Sequence, residues 1–395
     1  MLLVVVLAQA ATTIVATTPA FLIPLLHGER GLSLAEAGLV AAAPNLGLVL
    51  TLVAWGWATD RFGERRILVL GLAATVVAVV VSCLASGLVW LGLALVLSGA
   101  LSACTNAASG RLIVGWFPRE RRGLAMGIRQ TCQPIGTAIA SLAVPALAHW
   151  SLVAALAFGG AVVLVSLVLV AFTIVDPAHV SKPANGAAAS GSAEANPYRA
   201  SRALPRIHGV SVLLVVPQFT LSTFGLVWFI AGFGWNEVAA GIVVSAAQLL
   251  GAAGRIAVGV LSDRVRSRLR PLRWVAVAGI AAMLLTAAFG WVEWAWPAAI
   301  AYVLASCISV ADNGLAFTAV AEFAGPRWSG RALGIQNTGQ FLAAAIVPPA
   351  IGGLITLVGY PAAFALVALA PAVATPLIPS ARLEASQANA SPATS

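Results

Sequence analysis

Charged residues are scarce in this sequence. Only 9% of the 395 residues are Asp, Glu, Lys or Arg, against roughly 25% in a typical soluble domain, while 60% are hydrophobic. Apolar runs of about 20 residues, each long enough to cross a hydrocarbon core about 30 Å thick, follow one another almost from end to end. A single water-soluble core cannot bury so much apolar sequence. The composition therefore excludes a soluble protein and predicts one that crosses the membrane many times.

Patterns that bind metals, nucleotides or nucleic acid are also missing. Cys83, Cys104, Cys132 and Cys307 fall inside apolar runs without the spacing of metal ligands. No glycine-rich loop with Lys before Ser or Thr is present, which excludes ATP as the energy source. The net charge of +9 comes from loops between apolar runs, so we expect no nucleic-acid partner. We predict neither an enzyme nor a bound metal or cofactor, since no nucleophile, base or metal cluster lies within the runs.

Hydropathy and the polar residues between the runs define twelve helices in an all-α membrane protein. The predicted helices span residues 2–26, 37–57, 67–85, 88–116, 123–148, 151–174, 210–230, 239–260, 274–291, 298–323, 332–358 and 361–378. A polar stretch rich in small residues separates the sixth helix from the seventh and is typical of a flexible linker. The predicted domains are a six-helix bundle at 1–174, a linker at 175–209, a second six-helix bundle at 210–378 and a tail at 379–395.

The positions of the basic residues predict the orientation in the membrane. Eighteen Lys and Arg residues fall in the termini, linker and loops of one side, and only Arg30 falls on the other. Because basic residues are retained in the cytoplasm, we expect both termini and the linker to be cytoplasmic and the protein to lie in the inner membrane of the cell.

The two predicted bundles repeat each other in sequence. Residues 56–66 end helix 2 and residues 259–264 end helix 8, at an offset of 203. Residues 123–131 match residues 330–338 at an offset of 207. The second offset also pairs Asn106 with Asn313 and Gln133 with Gln340. The sequence thus predicts two pseudo-symmetric six-helix halves, an architecture in which transporters bind substrate near the midplane.

The segment from Gly56 to Arg66 resembles the signature G-x-x-x-D-R-x-G-x-R-R of the major facilitator superfamily, complete in the first half and truncated in the second. The resemblance implies secondary transport by alternating access, with the signature forming a latch of the outward-open state. Glycine allows close approach of another helix, and the aspartate can accept hydrogen bonds from Arg or from a helix N-terminus. The alternative is a purely topological anchor. The implied latch residues are Gly56, Asp60, Arg61, Gly63, Arg65, Arg66, Gly259, Asp263, Arg264 and Arg255.

Ionisable side chains inside a bilayer are costly and are therefore functional candidates. Asp312 is the one clear carboxylate near the middle of a predicted helix, and by the resemblance its helix lines the central cavity. Burial disfavours the charged form of a carboxyl group, so we predict that Asp312 carries a coupled proton. The alternative is an inert carboxylate held by an internal hydrogen bond or by Arg. We place no histidine in the bilayer, since His27 and His149 fall at outer helix ends and His179 and His208 in the linker.

Five polar residues are candidates for substrate binding. Arg129 and Gln133 lie four residues apart and so share a face of helix 5. Gln340 repeats Gln133 in the second half, and Asn106 and Asn313 form a second symmetric pair. A pseudo-symmetric cavity would present such repeated polar groups to a ligand. The alternative for the uncharged pairs is hydrogen bonding between helices.

The sequence favours a small organic anion as the substrate. Residues 115–123 look like branches of the superfamily that carry such anions, and Arg129 would be the cation that binds it. Residues 95–99 lack the arginine, and residues 133–138 lack the Gly-Pro-x-x-Gly-Gly element, of the drug and proton antiporters. Drug efflux is the first alternative. A sensor without transport is the second, and it would call for an added signalling domain. We expect a monomer whose partners are the lipid bilayer, a small-molecule substrate and, as the candidate coupling ion, a proton.

Overall fold

The computed structural model describes residues 2–116, 128–129, 131–175, 197–200 and 202–380, which contain helices and no β-strand. The helices are α1 Leu2–Phe21, α2 Ile23–Gly28, α3 Leu34–Phe62, α4 Glu64–Leu84, α5 Leu88–Trp116, α6 Cys132–Ala148, α7 Leu152–Thr173, α8 Pro197–Ala200, α9 Ala203–Val227, α10 Glu237–Val265, α11 Leu269–Trp291, α12 Ala295–Val367 and α13 Leu369–Leu377. A π-helical turn, Trp228–Gly232, continues α9. Residues 123–127 of the fifth predicted helix, most of the linker, and the tail from 381 lie outside the described residues.

Local sequence signals explain where α3 begins and ends. Ser33 Oγ accepts a hydrogen bond from the backbone N–H of Glu36 at 3.2 Å, and the Glu36 carboxylate accepts one from the Ser33 N–H at 2.9 Å. This capping box starts the helix before the predicted residue 37. Gly63 has φ +86°, a left-handed conformation that suits glycine, and it separates α3 from α4. The signature segment therefore turns between two long helices.

The long helix α12 contains more than one predicted helix. Its residues include the predicted helices 298–323 and 332–358, and the long apolar spans that overlap it are Ala295–Ala324 and Ala332–Leu377. Gly359 has φ +80°, so the chain changes direction where the last two predicted helices meet. This turn divides the last of the ten long apolar spans into two helices. Together with the shorter α6, the spans therefore account for the twelve predicted helices, and the all-α twelve-helix fold is confirmed.

The predicted start of the seventh helix is wrong. Helix α9 begins at Ala203 and not at residue 210, so His208, which we placed in the linker, lies on α9 and is half-buried. The polar side chains of Arg206 and His208 lower the local hydropathy, and a threshold on hydropathy therefore starts the helix too late.

Contacts within the chain define two compact units. Unit 1 comprises Met1–Ala193 with Asn236–Ser245, and unit 2 comprises Glu194–Trp235 with Ala246–Ser395. In unit 1, α1 packs on α6 and α7, and α5 packs on α3 and α4; in unit 2, α12 packs on both α9 and α11. Large apolar side chains such as Val53, Leu70 and Phe172 remain exposed, as expected for a protein whose solvent is lipid.

Glycine brings the backbones of α3 and α5 together in unit 1. A Cβ atom added to Gly47 would overlap the backbone of Val96, and one added to Gly99 would overlap the backbone of Pro44. Small residues at such positions allow close approach of membrane helices, which associate largely through van der Waals packing. These two glycines therefore fix the spacing of two helices that carry predicted functional residues.

Candidate functional site

A hydrogen-bonded polar cluster lies inside unit 1. Gln9 of α1 donates from Nε2 to Asn106 Oδ1 of α5 at 2.9 Å, and Ser109 donates from Oγ to Gln9 Oε1 at 3.1 Å. Asn106 and Ser109 are three residues apart on α5 and share a face. Arg129 donates from Nη1 to Ser109 Oγ at 2.8 Å and to Gln9 Oε1 at 3.4 Å. The structure thus brings together Arg129 and Asn106 of the predicted substrate-binding set.

Arg129 brings a positive charge into this cluster. Its acceptors Ser109 and Gln9 are uncharged, so these two hydrogen bonds hold the guanidinium in place without cancelling its charge. Gln133, predicted to act with Arg129, is half-buried and makes no side-chain hydrogen bond within the described part of the chain. Its amide can therefore serve a ligand without first breaking an internal bond.

A second polar cluster lies inside unit 2. Asn313 donates from Nδ2 to Gln218 Oε1 at 3.0 Å. Gln340 donates from Nε2 to Asn313 Oδ1 at 2.7 Å and to Ser211 Oγ at 2.9 Å. The predicted residues Asn313 and Gln340 are thus in direct contact, and both bond to side chains of α9.

The two clusters follow the sequence repeat. In each unit the repeated asparagine bonds to a glutamine from the first long helix of that unit, Gln9 in unit 1 and Gln218 in unit 2. Sequence reasoning missed both glutamines, although each interrupts an apolar run and that interruption was the available signal. The repeat position of Arg129 is Gln336, so unit 1 carries a charge where unit 2 carries an amide.

Asp312 is fully buried in unit 2. Neither of its carboxylate oxygens has a hydrogen-bond partner among the described residues. Arg255 of α10 donates from Nε to the carbonyl oxygen of Val310 at 3.2 Å and interacts electrostatically with Asp312. Arg255, predicted as a latch residue, therefore lies beside the candidate for proton coupling.

The signature glycines Gly56 and Gly259 have open space around them within the described part of the chain. A Cβ atom on Gly56 or Gly259 would meet no atom of the described residues within 4 Å. Among the described residues no other helix approaches these two glycines closely, and their role in a latch stays a prediction. Arg61 lies against the ring of Trp57, 5.6 Å from its centroid, and the side chain of Asp60 lies outside the described part.

Arg65 of the signature binds the end of another helix. Its Nη2 donates to the carbonyl oxygen of Ala171, near the C-terminus of α7, at 2.8 Å. In unit 2, Arg273 donates to the carbonyl oxygen of Ile378, just after α13, at 3.1 Å. The two arginines are 208 residues apart in sequence, and their two acceptors are 207 residues apart. The second half therefore has an equivalent of the Arg65 contact, although Arg273 lies beyond its truncated copy of the signature. Cations near helix C-termini are favourable because carbonyl groups there lack helical partners.

Asp263 belongs to a charged network at the end of α10. Arg268 Nη1 donates to Asp263 Oδ1 at 2.5 Å, and Arg268 Nε donates to Glu322 Oε1 of α12 at 3.3 Å. Burial acts to lower the pKa of Arg268, but the hydrogen bond to Asp263 and the charge of Glu322 outweigh it and raise that pKa. Arg268 and Glu322 were not predicted, because neither lies in the aligned signature. The predicted latch residues Arg66 and Arg264 are exposed.

Comparisons with known proteins agree with this architecture. The family model of the Major Facilitator Superfamily matches residues 3–348. An uncharacterized MFS-type transporter of Mycobacterium tuberculosis is 47% identical over 360 residues, covering 91% of this chain and 80% of that protein. A probable sulfoacetate transporter of Cupriavidus necator is 28% identical, covering 85% of this chain and 82% of that protein. The crystal structure of a bacterial homolog of the human lysosomal transporter Spinster, in an inward-facing and occupied conformation, has a TM-score of 0.79 at 16% identity, covering 99% of this chain and 98% of that one.

Proposed function

We propose that this chain, which belongs to the Major Facilitator Superfamily, carries a small organic anion across the bacterial inner membrane by alternating access. The family and the helical fold support a membrane transporter. The anionic substrate class is supported by Arg129 in the polar cluster of unit 1. It is also compatible with the relative described as a probable sulfoacetate transporter.

Arg129 is suited to binding a carboxylate or sulfonate. A guanidinium presents several N–H donors in one plane and can form two parallel hydrogen bonds to such a group. Ser109 and Gln9, which now accept from Arg129, are neutral, and exchanging a neutral acceptor for an anionic one strengthens the interaction. An anion that reaches Arg129 would therefore replace these two neutral acceptors with a charged one.

The amide side chains around this charge would set the orientation of the substrate. Gln133 offers both a donor and an acceptor, whereas Asn106, Asn313 and Gln340 would exchange internal hydrogen bonds for bonds to the anion. We assign to them hydrogen bonds with the uncharged parts of the anion. Gln133 would reject analogues that lack a matching polar atom, because its own polar atoms would then be left unpaired.

The coupling ion in this proposal is a proton on Asp312. A buried carboxylate is costly when ionised unless a cation compensates it, and Arg255 is the cation that interacts with it. Any movement of α10 relative to α12 that weakens this interaction favours protonation. The network of Asp263, Arg268 and Glu322 is the corresponding candidate for a latch that opens and closes during the cycle.

Ligand stabilisation of the purified protein tests the substrate class. A ligand that binds the folded state raises the apparent melting temperature by an amount set by its concentration relative to its dissociation constant. We expect sulfoacetate and other small carboxylates or sulfonates to raise it, and ethidium and glycerol to leave it unchanged. Arg129→Gln should abolish the shift, whereas Arg30→Gln, which removes an exposed arginine, should retain it. Stabilisation by ethidium and not by any small anion would contradict the proposal and favour drug efflux.

A further inference from the structure

The connection between α10 and α11 in unit 2 is rich in arginine. Five of the ten residues from 264 to 273 are Arg. Two of them bond within unit 2, since Arg268 donates to Asp263 and Glu322, and Arg273 donates to a carbonyl group just after α13. The other three are exposed, and their side chains make no hydrogen bond or ion pair with the described residues. We call these three the arginine turn: Arg264, Arg266 and Arg270.

Arg266 has a backbone conformation that arginine rarely adopts. Its φ of +51° lies in the left-handed region, which favours glycine. Its N–H donates to the carbonyl oxygen of Asp263 at 3.2 Å, and the N–H of Ser267 donates to that of Ser262 at 3.3 Å. This pair of bonds forms a Schellman motif, whose left-handed position is usually glycine. At the matching position 203 residues earlier, Gly63 has φ +86°, so the second half keeps the left-handed turn but has arginine in place of glycine.

The side chain of Arg266 is therefore what distinguishes this position from Gly63. A glycine at position 266 would make the same turn without the steric cost, but it would carry no charge. Residues held in costly backbone conformations cluster at functional sites. Since the backbone gains nothing from arginine here, we look for the function in what the exposed guanidinium binds.

Arg270 lies at the start of a stripe of exposed residues on α11. Trp274, Val277 and Leu284 follow it at intervals of four, three and seven residues, which places all four on one face of the helix. Each of the three apolar side chains is about half exposed. An exposed apolar face on a spanning helix lies against lipid tails, and tryptophan is enriched at the level of the headgroups. Arg270, one turn before Trp274, is therefore placed to meet lipid headgroups.

We propose that the arginine turn binds the phosphate group of an anionic phospholipid whose acyl chains pack against the exposed stripe of α11. A guanidinium can bind two phosphate oxygens through parallel N–H donors. The predicted orientation places this turn on the cytoplasmic side, where anionic lipids attract basic segments next to spanning helices. The acidic groups near the turn, Asp263 and Glu322, already bond to Arg268, so they do not neutralise it. The site is separate from the residues to which we assign the substrate.

The test measures thermal unfolding of the purified full chain in a neutral detergent with increasing phosphatidylglycerol or phosphatidylcholine. The first lipid is anionic, the second has no net charge, and a ligand that binds the folded state raises the melting temperature. We expect phosphatidylglycerol to stabilise wild type well beyond phosphatidylcholine. Arg266→Gly and Arg270→Gln should each weaken the apparent affinity for phosphatidylglycerol about fivefold, and the double variant about 30-fold. The control Arg30→Gln, which removes an exposed arginine between α2 and α3, should keep the wild-type affinity.

Arg266→Gly also separates a role of the side chain from a role in the fold. Without anionic lipid, this variant should melt about 1–2 °C above wild type, because glycine removes the steric cost of the left-handed conformation. With phosphatidylglycerol, it should gain less stability than wild type. An arginine that only supports the fold would instead lower the melting temperature in the absence of lipid, and that result would contradict the proposal.

Other outcomes would also overturn the lipid site. Equal stabilisation of wild type by the two lipids would show that the anionic headgroup is not recognised. Wild-type affinity in both Arg266→Gly and Arg270→Gln, or an equal loss in Arg30→Gln, would show that this turn does not bind the lipid. Stabilisation by glycerol 3-phosphate at the same concentration would assign the site to a soluble phosphate. None of these results involves Arg129, so the proposed function is judged separately.

Discussion

Replacing Arg255 should expose the cost of the buried carboxyl group of Asp312. Asp312 is fully buried, and its oxygens have no hydrogen-bond partner among the described residues, so Arg255 supplies its electrostatic compensation. Residues that belong to one electrostatic network typically show interaction energies of about 0.5–3 kcal/mol. Arg255→Met should therefore lower the free energy of unfolding by about this amount near neutral pH. The loss should shrink at lower pH, where protonation neutralises the carboxyl group.

A double-mutant cycle measures this interaction. Arg255→Met, Asp312→Asn and the double variant would be unfolded thermally in detergent and followed by tryptophan fluorescence. We expect the double variant to be more stable than Arg255→Met alone, with a coupling energy of about 0.5–3 kcal/mol, since the neutral amide no longer needs a cation. Additive effects of the two substitutions would refute the interaction, as would a cost of Arg255→Met that is independent of pH.

Three further predictions follow from the structure. Asp312→Asn should keep exchange of substrate across proteoliposome membranes but lose accumulation driven by a proton gradient, and full accumulation would exclude its role in coupling. Gly99→Ala should destabilise the protein by about 1–3 kcal/mol, because the added Cβ overlaps the backbone of α3. Gly56→Ala should leave thermal unfolding unchanged, because its Cβ meets open space among the described residues. Equal effects of the two substitutions would contradict this packing. Cysteines replacing Asn236 and Ser190 in a cysteine-free chain should react with an impermeant thiol reagent on intact cells only at position 236, and labelling at position 190 would contradict the predicted orientation.

The fold could be predicted from the sequence because the bilayer imposes a simple rule. Each span needs about 20 apolar residues, and the runs and their repeat supply twelve of them. Boundaries were harder, because they depend on single interactions. The capping box at Ser33 extends α3, and the polar first turns of α9 concealed His208 inside a span.

The candidate site could be predicted only in part. Repetition of Asn106 and Asn313 in the two halves identified positions that do lie in polar clusters. Their partners Gln9 and Gln218 could not be assigned from spacing, because they come from helices distant in sequence. The signature glycines were expected to pack closely against another helix because glycine has no side chain. Among the described residues, the glycines that bring backbones together include Gly47, which lies on the same helix as Gly56 but nine residues earlier.

The central claim is that Arg129 binds an anionic substrate, and counterflow in proteoliposomes tests it most directly. Vesicles loaded with unlabelled sulfoacetate would be diluted into labelled sulfoacetate, with wild type, Arg129→Lys, Arg129→Gln and the exposed control Arg30→Gln compared at equal amounts of folded protein. Losing the bidentate pair should cost about 1.5–3 kcal/mol, or roughly 10- to 100-fold in apparent affinity, for Arg129→Lys and more for Arg129→Gln. We predict exchange by wild type and Arg30→Gln, weakened exchange by Arg129→Lys and none by Arg129→Gln. Exchange at the wild-type rate by Arg129→Gln would contradict it.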